Sequence, residues 1–115
     1  MIIQKHLLIV MVLLRKPQYI CFAGIFRNSN ASFLGAFALH MGISNALEAE
    51  ITVAMIAIET SYQKDWHPLC LQTDSLLLTL AFKTLKIIPW HLLNRWENCK
   101  LLCASMTFIV THIFR

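Results

Sequence analysis

Eight consecutive apolar residues, Leu7 to Leu14, stand between two basic pairs, Lys5 with His6 and Arg15 with Lys16. A membrane-spanning helix needs about 20 mostly apolar residues, so this run is too short to span. The other apolar stretches fail for a different reason. Leu101 to Phe114 is uncharged but contains Ser105, Thr107, Thr111 and His112, and Asn28 to Leu47, the longest uncharged stretch, is diluted by Asn, Ser, Gly and His. No segment reads as transmembrane. The N-terminus imitates a secretory signal, with Lys5, an apolar core and a small-residue pair at Ala23 and Gly24. Basic residues directly after the apolar core are wrong for cleavage. Leu7 to Leu14 is therefore a candidate extra strand.

The length of 115 residues allows one domain with one real core. Hydrophobic residues make up 57% and charged residues 14%, against a usual charged fraction of about 25%. Intrinsic disorder, which needs a polar, charge-rich chain, is excluded as the main state. Ten Lys and Arg against six Asp and Glu give a net charge of +4, which suits nucleic acid or another anionic surface. The four cysteines, Cys21, Cys70, Cys99 and Cys103, form no C-x-x-C pair and have no His at zinc-finger spacing. They read as reduced thiols in an intracellular chain, nuclear or cytoplasmic.

Strand and helix patterns alternate along the chain. Tyr19 to Arg27 and Ser32 to His40 read as two strands of an antiparallel hairpin around the turn cluster Asn28, Ser29 and Asn30, and Gly42 and Ser44 close this β region. Asn45 and Glu48 make a capping box. Leu47, Ile51, Ala54, Ile58 and Tyr62 follow as one apolar helical stripe, with Lys64 near the C-terminal end. Pro68 ends the helix and Leu69 to Thr73 is a short strand. Asp74 and Ser75 can cap a second helix from Leu76 to about Lys83. Pro89 suits the first turn of a third, with Leu92, Trp96, Cys99 and Cys103 on one face. Met106 to Phe114 reads as a last strand. The order β-β-α-β-α-α-β, with the apolar run in front, implies a mixed sheet covered by helices.

Two carboxylates stand where chemistry is usual. Glu50 lies early in the long helix, and Asp74 lies where a short strand meets the next helix. Ligands of open α/β sheets bind at the carboxyl ends of strands, and two such oxygen donors can converge on Mg²⁺. The plainer reading makes Asp74 an N-cap and Glu50 a first-turn acid favoured by the helix dipole. Periodicity does not choose between Glu48 and Glu50, which flank the apolar stripe on opposite sides.

The ordered series Gly24-Ile25-Phe26-Arg27-Asn28-Ser29, Phe33 to Phe37, Ala49-Glu50, Ala57-Ile58-Glu59 and Thr73-Asp74-Ser75 resembles ribonuclease H-like domains derived from plant non-LTR retroelements. It continues through Pro89-Trp90, Asn94-Arg95-Trp96, Asn98-Cys99 and Val110 to Arg115, so the likeness runs from about Tyr19 to the end. The resemblance implies an α/β fold, a ribonuclease H-like mixed sheet of about five strands flanked by helices. The resemblance also implies that residues 19–115 form this domain, truncated at the C-terminus, and that residues 1–18 are an atypical apolar segment, a candidate replacement for the first strand.

The implied activity is hydrolysis of the RNA strand of an RNA–DNA hybrid, with four carboxylates holding two Mg²⁺ ions. Position by position, Glu50 matches the family's helix Glu and Asp74 its strand-end Asp, as catalytic and metal-binding residues. The family's first strand carries an Asp-Gly-Ala motif, and this chain has no Asp or Glu before Glu48. That Asp falls near Val10. The family's last carboxylate and its last helix lie beyond Arg115, so the resemblance implies a chain with two ligands and the last helix missing. His112 sits within the last strand rather than beyond it, and reads as structural.

Lys83, Lys86, Arg95 and Lys100, interleaved with Trp90 and Trp96, fall in the region that approaches the nucleic-acid backbone in the family. Lys83, Lys86, Arg95, Lys100 and Trp90 are the implied binding residues, with Mg²⁺ as the family cofactor and an RNA–DNA hybrid or duplex as partner. The plainer reading places Trp96 in the core and the charges on a solvated face. The leading expectation is a nucleic-acid-binding ribonuclease H-like domain with impaired catalysis. The rivals are a non-catalytic interaction domain that kept the fold, and a pseudogene product.

Overall fold

The computed structural model describes residues 7–16, 19–27, 32–40, 46–66, 69–73 and 75–112. The apolar run forms β1 (Leu7–Lys16), which is joined by β2 (Tyr19–Arg27) and β3 (Phe33–His40). Helix α1 (Ala46–Gln63) leads to β4 (Leu69–Thr73). Then come α2 (Leu76–Ala81), a 3-10 turn Leu85–Ile87, a second 3-10 turn Trp90–Leu92, α3 (Leu93–Ala104) and β5 (Phe108–His112). The expected turn at Asn28 to Asn30, the residues Gly42, Ser44 and Asn45, and Pro68 lie outside the described residues.

The sheet has the order β3-β2-β1-β4-β5. Strands β1, β2 and β3 are antiparallel neighbours, with a register shift at Phe26 and Arg27. Strand β4 runs parallel to β1 and to β5. Parallel neighbours need a crossover of a dozen or more residues; the path through α2 and α3 supplies it between β4 and β5. The apolar run is thus no appendage. It is the middle strand, with Val10 in register between Ile25 of β2 and Gln72 of β4.

Helices α1 and α2 pack on the sheet and α3 packs on α1, around a core that includes Phe26, Ile51, Met55, Ile58, Leu69, Leu71, Leu78 and Trp96. The buried residues of β4 alternate, Leu69, Leu71 and Thr73, as a strand with one covered face requires. Among the described residues no helix covers the opposite face, where Ile109 of β5 is 47% exposed.

Several boundaries differ from the sequence reading. Helix α1 is buried more widely than one stripe: Val53, Met55 and Ala57 are as inaccessible as Ile51 and Ile58. The sheet touches one side of it and α3 another. Tyr62, expected on the stripe, is exposed in the last turn. That turn closes with Trp66 N–H bonded to Ser61 O at 2.8 Å and Asp65 N–H to Tyr62 O at 3.2 Å. This is a Schellman closure with Asp65, at φ 57°, in the position glycine usually takes.

Helix α2 stops at Ala81 rather than near Lys83, so Lys83 falls in a turn with its N–H on Leu80 O. Lys86 lies in the first 3-10 turn. Pro89 introduces a 3-10 turn, not the α-helix itself, because Leu92 N–H bonds back to Pro89 O. Met106, expected in the last strand, instead donates its N–H to Cys103 O at the end of α3.

Candidate functional site

Strand β4 delivers the chain to the carboxyl edge of the sheet. Thr73, its last residue, is buried, and its Oγ1 accepts the Ser75 N–H at 3.1 Å. Ser75 is the N-cap of α2: its Oγ accepts the Leu78 N–H at 3.1 Å, and its carbonyl accepts the Thr79 hydroxyl at 3.0 Å. The cap expected of Asp74 or Ser75 is therefore Ser75. Asp74 itself lies outside the described residues.

Glu50 is half-buried in α1. Glu48, two residues earlier, has its Oε1 2.9 Å from His91 Nε2 in the second 3-10 turn. A step of two residues is about 200° around a helix, so the Glu48–His91 pair and Glu50 occupy different sides of α1. Among the described residues no group of three or more His, Cys, Asp or Glu is close enough to hold a metal ion.

The basic residues divide into two kinds. Arg95 is engaged: its Nε and an Nη donate to the two Glu59 carboxylate oxygens at 3.0 and 2.6 Å. This bidentate pair holds Glu59 below its usual pKa, through the hydrogen bond first and against the opposing effect of burial. Lys83, Lys86 and Lys100 are exposed. Trp90 is 86% exposed, with its ring edge-on to His91 at 6.0 Å, whereas Trp96 is fully buried against Phe82 at 4.7 Å. Trp96 is thus core, and Trp90 presents its ring to solvent. His112 lies within β5.

A thiol pair sits behind the Glu59–Arg95 contact. Cys99 donates its S–H toward Met55 O at 3.8 Å and Glu59 Oε2 at 3.7 Å. Burial pushes its pKa up to about 12, helped by the negative charge of Glu59. Burial also lifts Cys103 to about 11. The roles of Glu59 and His91 have no signal in the sequence. Their partners lie 36 and 43 residues away, and only the packing of α1 against the α3 region joins them.

The sequence matches no protein-family model and no curated protein. Solved structures do match. Ribonuclease H1 of the archaeon Halobacterium salinarum superposes with a TM-score of 0.74 at 12% identity, over 96% of this chain and 86% of that one. The N-terminal ribonuclease H domain of a Mycobacterium tuberculosis protein gives 0.76 at 11% identity, over 96% and 88%. LC11 ribonuclease H1, solved in complex with an RNA/DNA hybrid, gives 0.73 at 12%, over 95% and 86%. At these identities the likeness is one of architecture: the chain has a ribonuclease H-like fold.

Proposed function

We propose that this protein is a nucleic-acid-binding domain of ribonuclease H-like fold that holds an RNA–DNA hybrid or duplex by its backbone without cutting it. The observation that carries the reading is the outward presentation of Trp90, Lys83, Lys86 and Lys100 from the α2–α3 region of such a fold. The LC11 complex with a hybrid lends it support. Lysines neutralise phosphates, and an exposed tryptophan offers a stacking surface to a sugar or base. Retroelement descent, carried by the ordered motif series, and an intracellular location belong to the same reading.

The absence of cutting follows from the donor set. Two Mg²⁺ ions carry four positive charges and call for several carboxylates. Beside Glu50 and Asp74, Val10 stands in the middle strand where the family places its central metal-binding Asp, and it brings no charge. A centre with valine at that position does not fit two ions. A role in protein interaction is the second reading, favoured by the exposed Leu76, Leu77 and Leu80 of α2 and Leu101 of α3.

The test is fluorescence polarisation with a labelled hybrid duplex, titrated at several salt concentrations. Three lysine–phosphate contacts give a slope of log affinity on log salt of about −2.7, a loss of about 40-fold between 50 and 200 mM salt. Arg95, occupied by Glu59, adds nothing to the slope. No binding, or binding indifferent to salt, sinks the nucleic-acid reading. A cleavage assay in Mg²⁺ and in Mn²⁺ tests the rest: turnover abolished by Asp74→Asn or Glu50→Gln shows that two carboxylates suffice and that the non-cutting assignment is wrong.

A further inference from the structure

A second candidate site lies away from the lysine surface, between edge strand β3 and the last turns of α1. It is a groove of about 310 Å³ whose lining includes Phe26, Gly35, Phe37, Thr60, Lys64 and Trp66. That volume is at the small end of the range for small-molecule sites. Three aromatic rings shape it: Phe26 lies 5.8 Å from Phe37 and 5.3 Å from Trp66, both pairs tilted. Gly35, in register with Phe26, lines the groove from the strand side. A Cβ added at Gly35 would meet nothing within 4 Å, so a side chain can be added there without a clash.

Charge gives the groove a polarity. Among the described residues of its lining Lys64 is the one that carries a charge, and its ammonium stands 5.3 Å from the Trp66 ring centre. The Schellman closure of α1 places both residues, since it turns the chain so that Trp66 packs on Phe26. Thr60 adds a hydroxyl one helical turn before Lys64.

We propose that this groove is a binding site for a small planar aromatic carboxylate, its ring beside Phe26, Phe37 and Trp66 and its carboxylate on Lys64. Offset or edge-on contact with three rings suits a flat aromatic body. The ammonium selects an anion over a cation of the same shape. A charge-assisted hydrogen bond in a partly desolvated groove makes the anion about tenfold tighter than its neutral isostere.

The experiment is an amide chemical-shift titration of the whole chain with 2-naphthoate, run beside neutral 2-naphthylmethanol. The expected result is saturable shifts at Phe37, Thr60 and Trp66, with the carboxylate about tenfold tighter. Lys64→Met should bring the two ligands to equal affinity. Gly35→Val fills the open space from the strand side and should abolish binding with the melting temperature unchanged or raised, because valine suits an extended strand position. Thr60→Leu narrows the groove from the helix side and should weaken both ligands if Gly35→Val does not fold. Shifts scattered over the surface, equal affinity for the two ligands in the unmodified chain, or full binding in a folded groove-filling variant would each overturn the assignment.

Discussion

Raising the pH from 8 to 10 should destabilise this protein through two thiols of α3. Cys99 holds its proton up to about pH 12 and Cys103 up to about 11, because both are buried where a thiolate is poorly solvated. In the unfolded chain each thiol ionises near its ordinary value, about 8.5 to 9. Above pH 9 the unfolded state has therefore lost protons that the folded state keeps, and stability falls as pH rises. The loss from one such thiol between pH 8 and 10 is about 1.4 to 1.9 kcal/mol, the larger figure for the lower unfolded value. It depends almost wholly on the unfolded value, so placing Cys99 nearer 11 changes little.

Cys99 is fully buried and counts in full, while Cys103 is only partly buried and counts for less. Together they should cost about 2 kcal/mol, a drop in melting temperature of about 8 °C for a domain of this size. The assay is thermal melting followed by circular dichroism under reducing conditions, at pH 8, 9 and 10, for the unmodified chain and for Cys99→Ala with Cys103→Ala. The double variant will be less stable at pH 8, since removing the sulfurs leaves small voids. Its melting temperature should nevertheless fall much less between pH 8 and 10. An equal fall in the two proteins would refute the assignment of the alkaline loss to these thiols.

The Glu59–Arg95 pair is partly exposed, so a double-mutant cycle with Glu59→Gln and Arg95→Met should give a coupling of about 1 kcal/mol at pH 7. Because Glu59 titrates below its usual value, that coupling is present above about pH 4.5 and fades as pH falls through the lowered folded value; urea unfolding at pH 7 and pH 3 reads it. Asp65→Gly should raise the urea midpoint, by up to about 1 kcal/mol of stability, since φ 57° strains a residue with a Cβ and not glycine. Trp96→Ala should cost about 3–5 kcal/mol in the same assay, and Trp90→Ala under about 0.5 kcal/mol. Trp90→Ala should instead weaken hybrid binding by about 1–3 kcal/mol, read by polarisation.

Local patterns suffice for the elements themselves, because they depend on near neighbours in the chain. The hairpin strands, the long helix before Lys64 and the short strand before Asp74 follow from period and turn residues, and their order implies a mixed sheet with helices. Ser75 as a cap is likewise local, a side chain reaching an N–H three residues on. Where local preference is weak, the boundaries slip: α2 ends early at Ala81, and Pro89 is followed by a 3-10 turn.

What only the tertiary structure decides are relations across the chain. The run Leu7 to Leu14 reads as an extra strand, but pairing on both edges makes it the middle of the sheet and puts Val10 between Ile25 and Gln72. Arg95 reads as one of four equivalent cations until α3 packs on α1 and Glu59 takes its guanidinium. Trp90 and Trp96 have the same chemistry in sequence, and only packing against Phe82 separates a core tryptophan from a solvent-facing one. The physical reason is common to all three. Hydrophobic period and capping act over three or four residues, whereas strand order, ion pairing and burial depend on which distant segments meet.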